Sequence, residues 1–163
     1  MGSGKTTLGK RLALKLGYSF IDMDKEIEAV AGMSISAYFE RYGEEAFRET
    51  ENRVLKTINL PEGAVIATGG GAPCFYDNLD WMNKNGLTIY LSLSPKALAL
   101  RLENATNERP ILKNLKGLEL ENFIAERLKM REEFYQQAKL TINGIDQTPE
   151  RLSAILKQEN YLK

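Results

Sequence analysis

Apolar positions along the chain change period repeatedly, and the changes mark out the elements. Leu8, Leu12 and Leu16 recur at steps of four, which predicts a helix over 6–16 closed by Gly17 as its left-handed cap. Residues 18–22 read as a short strand. A helix over 24–31 ends at Gly32, and Ser34 is placed to cap another through Arg41. Gly43 breaks the pattern, and 44–58 reads as a longer helix with Phe47, Val54, Leu55 and Ile58 on its apolar side. Residues 64–67 form an apolar run between Gly63 and the triplet Gly69-Gly70-Gly71, expected as a strand buried on both faces. A short helix over 78–85 precedes a second buried strand over 87–93. Ser94-Pro95 starts the next helix, with proline at its first position. Residues 104–118 are irregular and charged; beyond them come a long helix over 119–138, a strand over 140–143 and a helix over 148–158.

Strands alternating with helices predict an α/β protein with a parallel sheet and helices on both faces, three layers in all. No repeat or linker divides the chain, so residues 1–163 are expected to form one domain. Ligands of such sheets bind beyond the carboxyl ends of the strands. That rule selects Asp22, Gly69 to Gly71, and the residues just after Leu93 and Asn143.

Composition narrows the chemistry more than the fold. Lys plus Arg and Asp plus Glu are 22 each, so no nucleic-acid or membrane-surface partner is expected. The chain has no histidine, which removes histidine acid–base chemistry, Ser-His-Asp triads and histidine-ligated zinc together. A lone cysteine, Cys74, cannot form an internal disulfide and fits a reducing cytoplasm. No apolar run approaches transmembrane length, and no leader is expected.

The strongest motif opens the chain. Gly2-Ser3-Gly4-Lys5-Thr6-Thr7 matches the back half of a P-loop, G-x-x-x-x-G-K-[ST], ahead of an amphipathic helix. Its backbone N–H groups and the helix dipole would face a phosphate. Lys5 would reach the β- and γ-phosphates of a nucleotide, and the Thr6 hydroxyl would hold Mg²⁺. A lysine at a helix N-terminus opposes the dipole, so an anion is needed to explain it. The motif's first glycine, and the strand that feeds it, lie outside this sequence. We expect a truncated chain or a misassigned start, and a sheet lacking its first strand.

Other groups gain weight beside that loop. Asp22 and Asp24, two positions apart at a strand end, could hold Mg²⁺ through water and accept a hydrogen bond from a substrate hydroxyl; Asp24 could equally cap the helix that follows. Arg48 reads as a surface partner of Glu44 or Glu51 on its helix. Ile124, Leu128, Arg131 and Tyr135 form one helical stripe, and an arginine in an apolar stripe needs a carboxylate, from substrate or protein. Three consecutive glycines exceed what a plain turn requires and allow close approach of backbone to a ligand. The polar stretch 103–110 suits a lid bringing Arg109 to a phosphoryl group, although composition alone also fits a solvated loop; Arg101 shares that ambiguity. Cys74 reads as a small structural residue.

The ordered set GSGKTT, FIDMD, FRETE, ATGGGAP, ERPIL and REEFY resembles shikimate kinase over essentially the whole chain. The resemblance implies a P-loop NTPase fold of the nucleoside-monophosphate-kinase type, with parallel strand order 2-3-1-4-5 and strand 1 missing here. It implies ATP and Mg²⁺, transfer of the γ-phosphate to the 3-hydroxyl of shikimate in chorismate and aromatic amino acid synthesis, and a cytoplasmic monomer. It assigns phosphate binding to the loop from Gly2 to Thr7, Mg²⁺ to Thr6 and Asp22, and contact with the attacking hydroxyl to Asp24. Arg48 and Arg131 would clamp the shikimate carboxylate, with the Gly69 to Gly71 backbone completing the pocket. Arg109 would reach the phosphates from a lid over 103–118, Arg101 would stack near adenine, and 24–58 would be the substrate-binding segment. The competing readings are a gluconate or nucleoside-monophosphate kinase, or an inactive nucleotide-binding remnant. A GTPase is disfavoured, because Asn83-Lys84-Asn85-Gly86 has glycine where the guanine-reading N-K-x-D element needs aspartate.

Overall fold

The structure is a computed structural model that describes residues 2–104, 115–144 and 147–162. Helix α1 (Lys5–Leu16) leads into β1 (Ser19–Asp22), α2 (Met23–Ala31), α3 (Ile35–Thr57) and β2 (Ala64–Ala67). A 3-10 turn at Ala72–Cys74 follows, then α4 (Asn78–Asn85), β3 (Ile89–Ser92), α5 (Pro95–Glu103), α6 (Gly117–Tyr135), β4 (Leu140–Asn143) and α7 (Pro149–Gln158). The turn at 72–74 has no counterpart in the hydrophobic pattern, because three residues span less than one helical period.

Local chemistry accounts for the boundaries. Gly17 and Gly32 end α1 and α2 in the left-handed region, φ 70° and 66°, where a Cβ would be strained. Ser34, Ser94 and Thr148 each accept a backbone N–H in the first turn of α3, α5 and α7. Gly43 (φ 79°, ψ 178°) interrupts α3, so the helical break expected there is present as a kink.

All strand pairing is parallel. β1 pairs with β2, Ser19 opposite Ala64 through Asp22 opposite Ala67. β3 pairs with β4, Ile89 opposite Leu140 through Ser92 opposite Asn143. Among the described residues these are two separate two-stranded sheets, in the expected order with a gap at the expected place. An apolar cavity of about 590 Å³ lies there, walled by consecutive residues of both β2 and β3. Consecutive residues point to opposite faces of a strand, so a wall made of all of them is a strand edge. This corrects the expectation of strands buried on both faces: Ala64, Val65 and Ile66 and all of β3 are only half-buried, because their edges border the cavity.

Helix α1 joins the two halves. Its Leu8 and Leu12 pack with Ile142 of β4 and Leu152 and Leu156 of α7, while Val65 of β2 and Ile89 and Leu91 of β3 lie against the same cluster. A second cluster, Met23, Ile27, Phe47, Val54 and Leu55, fixes α2 on α3. A third, Leu93, Leu98, Ala99, Leu120 and Ile124, fixes α5 on α6.

Candidate active site

The site gathers at the carboxyl ends of the strands. On its phosphate side, Gly4 caps α1 at φ 83° and its carbonyl accepts from Leu8 N at 2.9 Å. Gly2 is also left-handed (φ 71°), and a Cβ there would meet Leu102 Cγ at 2.9 Å. The loop thus takes glycines for two reasons, conformation and contact. Gly4, Thr6 and Thr7 are exposed at the helix start, where N–H groups and dipole favour an anion. Arg101 is tied to the loop: its guanidinium donates to Ser3 O at 3.0 Å and holds the loop from α5.

Thr6 and Asp22 meet as expected, with Thr6 Oγ1 donating to Asp22 Oδ2 at 3.2 Å. Asp22 also caps α2, its other oxygen accepting from Asp24 N at 3.1 Å. The cap is therefore Asp22 and not Asp24, because α2 begins one turn-position earlier than expected, at Met23. The Asp24 carboxylate turns to the glycines: a Cβ on Gly69 would lie 3.5 Å from Asp24 Oδ1 and 2.8 Å from Glu51 Oε1.

Arg48 departs most from its expected surface role. Both anticipated partners are present, Glu44 Oε1 at 3.1 Å and Glu51 Oε2 at 2.7 Å. Yet Arg48 is only 8% exposed and Glu51 1%. The guanidinium also lies over the Phe75 ring, 4.4 Å from its centroid. A Cβ on Gly71 would meet Arg48 Nη2 at 2.5 Å, so the third glycine is required for the arginine to fit. Burial pushes the Glu51 carboxyl above its ordinary value, while Arg48 and, more weakly, Arg131 pull it down and Asp24 pushes it up. Arg131 and Arg48 likewise both act on Cys74, whose thiol burial raises. Arg48, Glu51, Asp24, Arg131 and Cys74 therefore share one neighbourhood, although they come from α2, α3, α6 and the 3-10 turn.

Arg131 is half-buried beside a small cleft lined by Leu98, Ile124, Leu128 and Tyr135, in keeping with its place in the stripe. The glycine turn is held from several sides. Tyr135 Oη donates to Gly70 O at 2.6 Å. Asn78, fully buried, donates to Ala72 O at 2.8 Å and accepts from Asn52 Nδ2 at 2.7 Å.

Glu51, Tyr135 and Asn78 were not among the residues the sequence nominated for the site. Glu51 had a signal, its i,i+3 spacing to Arg48, and Tyr135 had its place in the Arg131 stripe. Asn78 had none. Arg109 and most of the expected lid lie outside the described residues. At the lid's base, Glu103 Oε1 accepts from Gly117 N at 2.6 Å, which ties α5 to α6.

The hydroxyl–carboxylate pair of Thr6 and Asp22 presents hard oxygens, the donor type Mg²⁺ takes when phosphates supply the remaining ligands. Among the described residues no group of three or more acidic or cysteine side chains is placed to hold a metal ion by itself.

Comparison with known proteins places this geometry. A model of the family "Shikimate kinase" matches residues 1–159. The shikimate kinase of Parabacteroides distasonis is 49% identical over 144 residues, covering 88% of this chain and 83% of that protein. The shikimate kinase of Bacteroides thetaiotaomicron is 42% identical over 165 residues, covering 96% and 94%. A crystal structure of shikimate kinase from that organism superposes with a TM-score of 0.90 at 41% identity, over 99% of this chain and 94% of its own. Shikimate kinase from Acinetobacter baumannii, solved in complex with shikimate, gives 0.84 at 34% identity over 100% and 91%. A phosphate loop capping α1, a buried arginine–glutamate pair against three glycines, and likeness over nearly the whole chain agree: this P-loop protein belongs to the shikimate kinase family.

Proposed function

We infer that this shikimate kinase transfers the γ-phosphate of ATP to the 3-hydroxyl of shikimate, giving shikimate 3-phosphate and ADP. The observation that carries the reading is the placement of Asp24 against Gly69 and Arg48 against Gly71, with Arg131 in the same neighbourhood, beside a phosphate loop at the same strand ends. Shikimate offers one carboxylate and three hydroxyls. Two arginines for the carboxylate, one aspartate for a hydroxyl and backbone groups of the glycine turn match that inventory.

Each group has a part. The loop from Gly2 to Thr7 binds the phosphates, with Lys5 set against the β- and γ-oxygens. Thr6 and Asp22 would hold Mg²⁺, which would supply positive charge to neutralise the phosphate oxygens. Asp24 accepts the hydrogen bond of the attacking hydroxyl and orients it. Arg48 and Arg131 grip the carboxylate. Phosphoryl transfer needs positioning and charge neutralisation more than a strong base, which suits a site without histidine. Arg101 serves the nucleotide first by holding Ser3; its stacking near adenine, and the approach of Arg109 from a lid over 103–118, rest on the resemblance. So does the grouping into one domain with 24–58 as the acceptor-binding segment. No described helix is long and apolar enough to cross a membrane. We take the working form to be a cytoplasmic monomer with no nucleic-acid or membrane partner.

The test is coupled ADP release with shikimate, gluconate and nucleoside monophosphates offered separately. Shikimate alone should support turnover. Faster release with gluconate or a nucleoside monophosphate would overturn the assignment.

A further inference from the structure

Arg48 and Arg131 come from different helices, and a clamp of two arginines works only if the span between them is held. Arg48 is set from the α3 side: Glu44 and Glu51 bond it, Phe75 covers it, and Gly71 abuts it. Arg131 rises from α6, which meets the glycine turn through Tyr135. Tyr135 follows Arg131 by four residues and so lies one turn on, along the same helix face.

The tyrosine hydroxyl donates to Gly70 O at 2.6 Å. A phenolic hydroxyl has one proton to give, and here the carbonyl takes it. Arg131 and Tyr135 line one small cleft together. The ring is fixed by Tyr90 of β3, with centroids 4.9 Å apart. A continuous path therefore runs from Arg131 along one turn of α6 to Tyr135, through its Oη to Gly70, to the adjoining Gly71, and on to Arg48.

We propose that Tyr135 is a positioning residue for shikimate: its hydroxyl ties α6, one turn on from Arg131, to the Gly70 carbonyl and thereby sets the span between the two carboxylate-binding arginines. The proposal rests on the carboxylate clamp described above. Tyr135 touches neither the phosphate loop nor the attacking hydroxyl in this account, so its loss should fall on acceptor binding alone.

Tyr135→Phe keeps the ring and its packing and removes only the hydroxyl. Calorimetric titration with shikimate should show Kd raised about fivefold, the scale of losing one neutral hydrogen bond. The KM for shikimate should rise with it, while the KM for ATP, kcat at saturating shikimate and Tm stay near wild type. In an Arg131→Ala background the same change should cost little more, because the two groups act through one link. Tyr90→Phe, which leaves the ring contact in place, should bind shikimate as wild type does. A Tyr135→Phe Kd within twofold of wild type overturns the proposal. So does an equal loss toward ATP, full additivity with Arg131→Ala, or the same defect in Tyr90→Phe. Failure of the underlying clamp reads differently: Arg131→Ala would itself bind shikimate as wild type does.

Discussion

Arg48 and Thr6, both assigned to the proposed site, are held in opposite ways. Arg48 is buried, paired with two glutamates and covered by an aromatic ring before any substrate arrives. Thr6 is exposed, and its hydroxyl donates a single hydrogen bond to Asp22 at 3.2 Å. The acceptor half is built from side chains whose charges and lone pairs already satisfy one another. The phosphate half is built from backbone at a helix start. Physical chemistry supports the division. A small acid of fixed shape is recognised by preorganised directional groups, whose ordering cost is met in folding. A polyphosphate brings its own charge and a hydrated cation, so a helix N-terminus with exposed N–H groups suffices.

Lys5→Met gives the largest expected effect and isolates the phosphate half. Turnover should fall by at least about a hundredfold, the scale of losing a group that faces developing transition-state charge. The circular dichroism spectrum and shikimate Kd should not change. A fall in shikimate affinity as large as the fall in kcat would show that the two halves are not separable.

Asp24→Asn probes the boundary between them. The amide keeps shape and can still touch a hydroxyl, but no longer accepts as a carboxylate does. We expect kcat to drop about a hundredfold with shikimate KM changed only a few-fold. A rate near wild type would leave Asp24 as a mere neighbour of Gly69.

Gly71→Ala attacks the acceptor half at its tightest contact. The added methyl would sit 2.5 Å from an arginine that is pinned on three sides, so the guanidinium has nowhere to move. Shikimate Kd should rise about tenfold or more, with Tm lowered by several degrees. Nucleotide affinity should be unaffected. Gly17→Ala, strained by φ 70° but with open space around it, should lower Tm without touching shikimate binding.

The smallest effect concerns pH. Burial raises the Glu51 carboxyl above its usual 4.5. A carboxyl raised by folding adds stability that is fully present below the unfolded value and is lost as pH climbs through the folded one. Glu51→Gln removes that titration. The Tm difference, wild type minus variant, should therefore shrink as pH rises from about 4 through the window just above 4.5. A difference independent of pH, or one that grows, would show that Arg48 wins over burial.

Much of this molecule was legible in its sequence. Element types, the glycine caps at 17 and 32 and the break at Gly43 follow from period and punctuation, which are local properties, and the parallel pairing follows from the alternation of strand and helix; the strand order came from the family resemblance. The loop was legible because its chemistry is contiguous. Arg48 was not legible from its helix, because exposure is set by what packs over it: Phe75 and Gly71 lie more than twenty residues away in sequence. Asn78 was invisible for the same reason, being buried only by tertiary contacts with Asn52 and Ala72. The cap of α2 stayed open in the sequence, with Asp24 one candidate, since either aspartate satisfies the local rule and only the strand end decides for Asp22.

Helix α1 carries a consequence for cooperativity. The sheets β1–β2 and β3–β4 share no strand pairing among the described residues, and both pack on α1. Each half is thus a candidate unit of sub-global opening, with its own free energy in native-state amide exchange. The proposed anion site sits at the first turn of the helix that joins them. A nucleotide bound there stabilises the joint as well as the loop, so slow amides in both sheets should gain protection together, including those far from any phosphate.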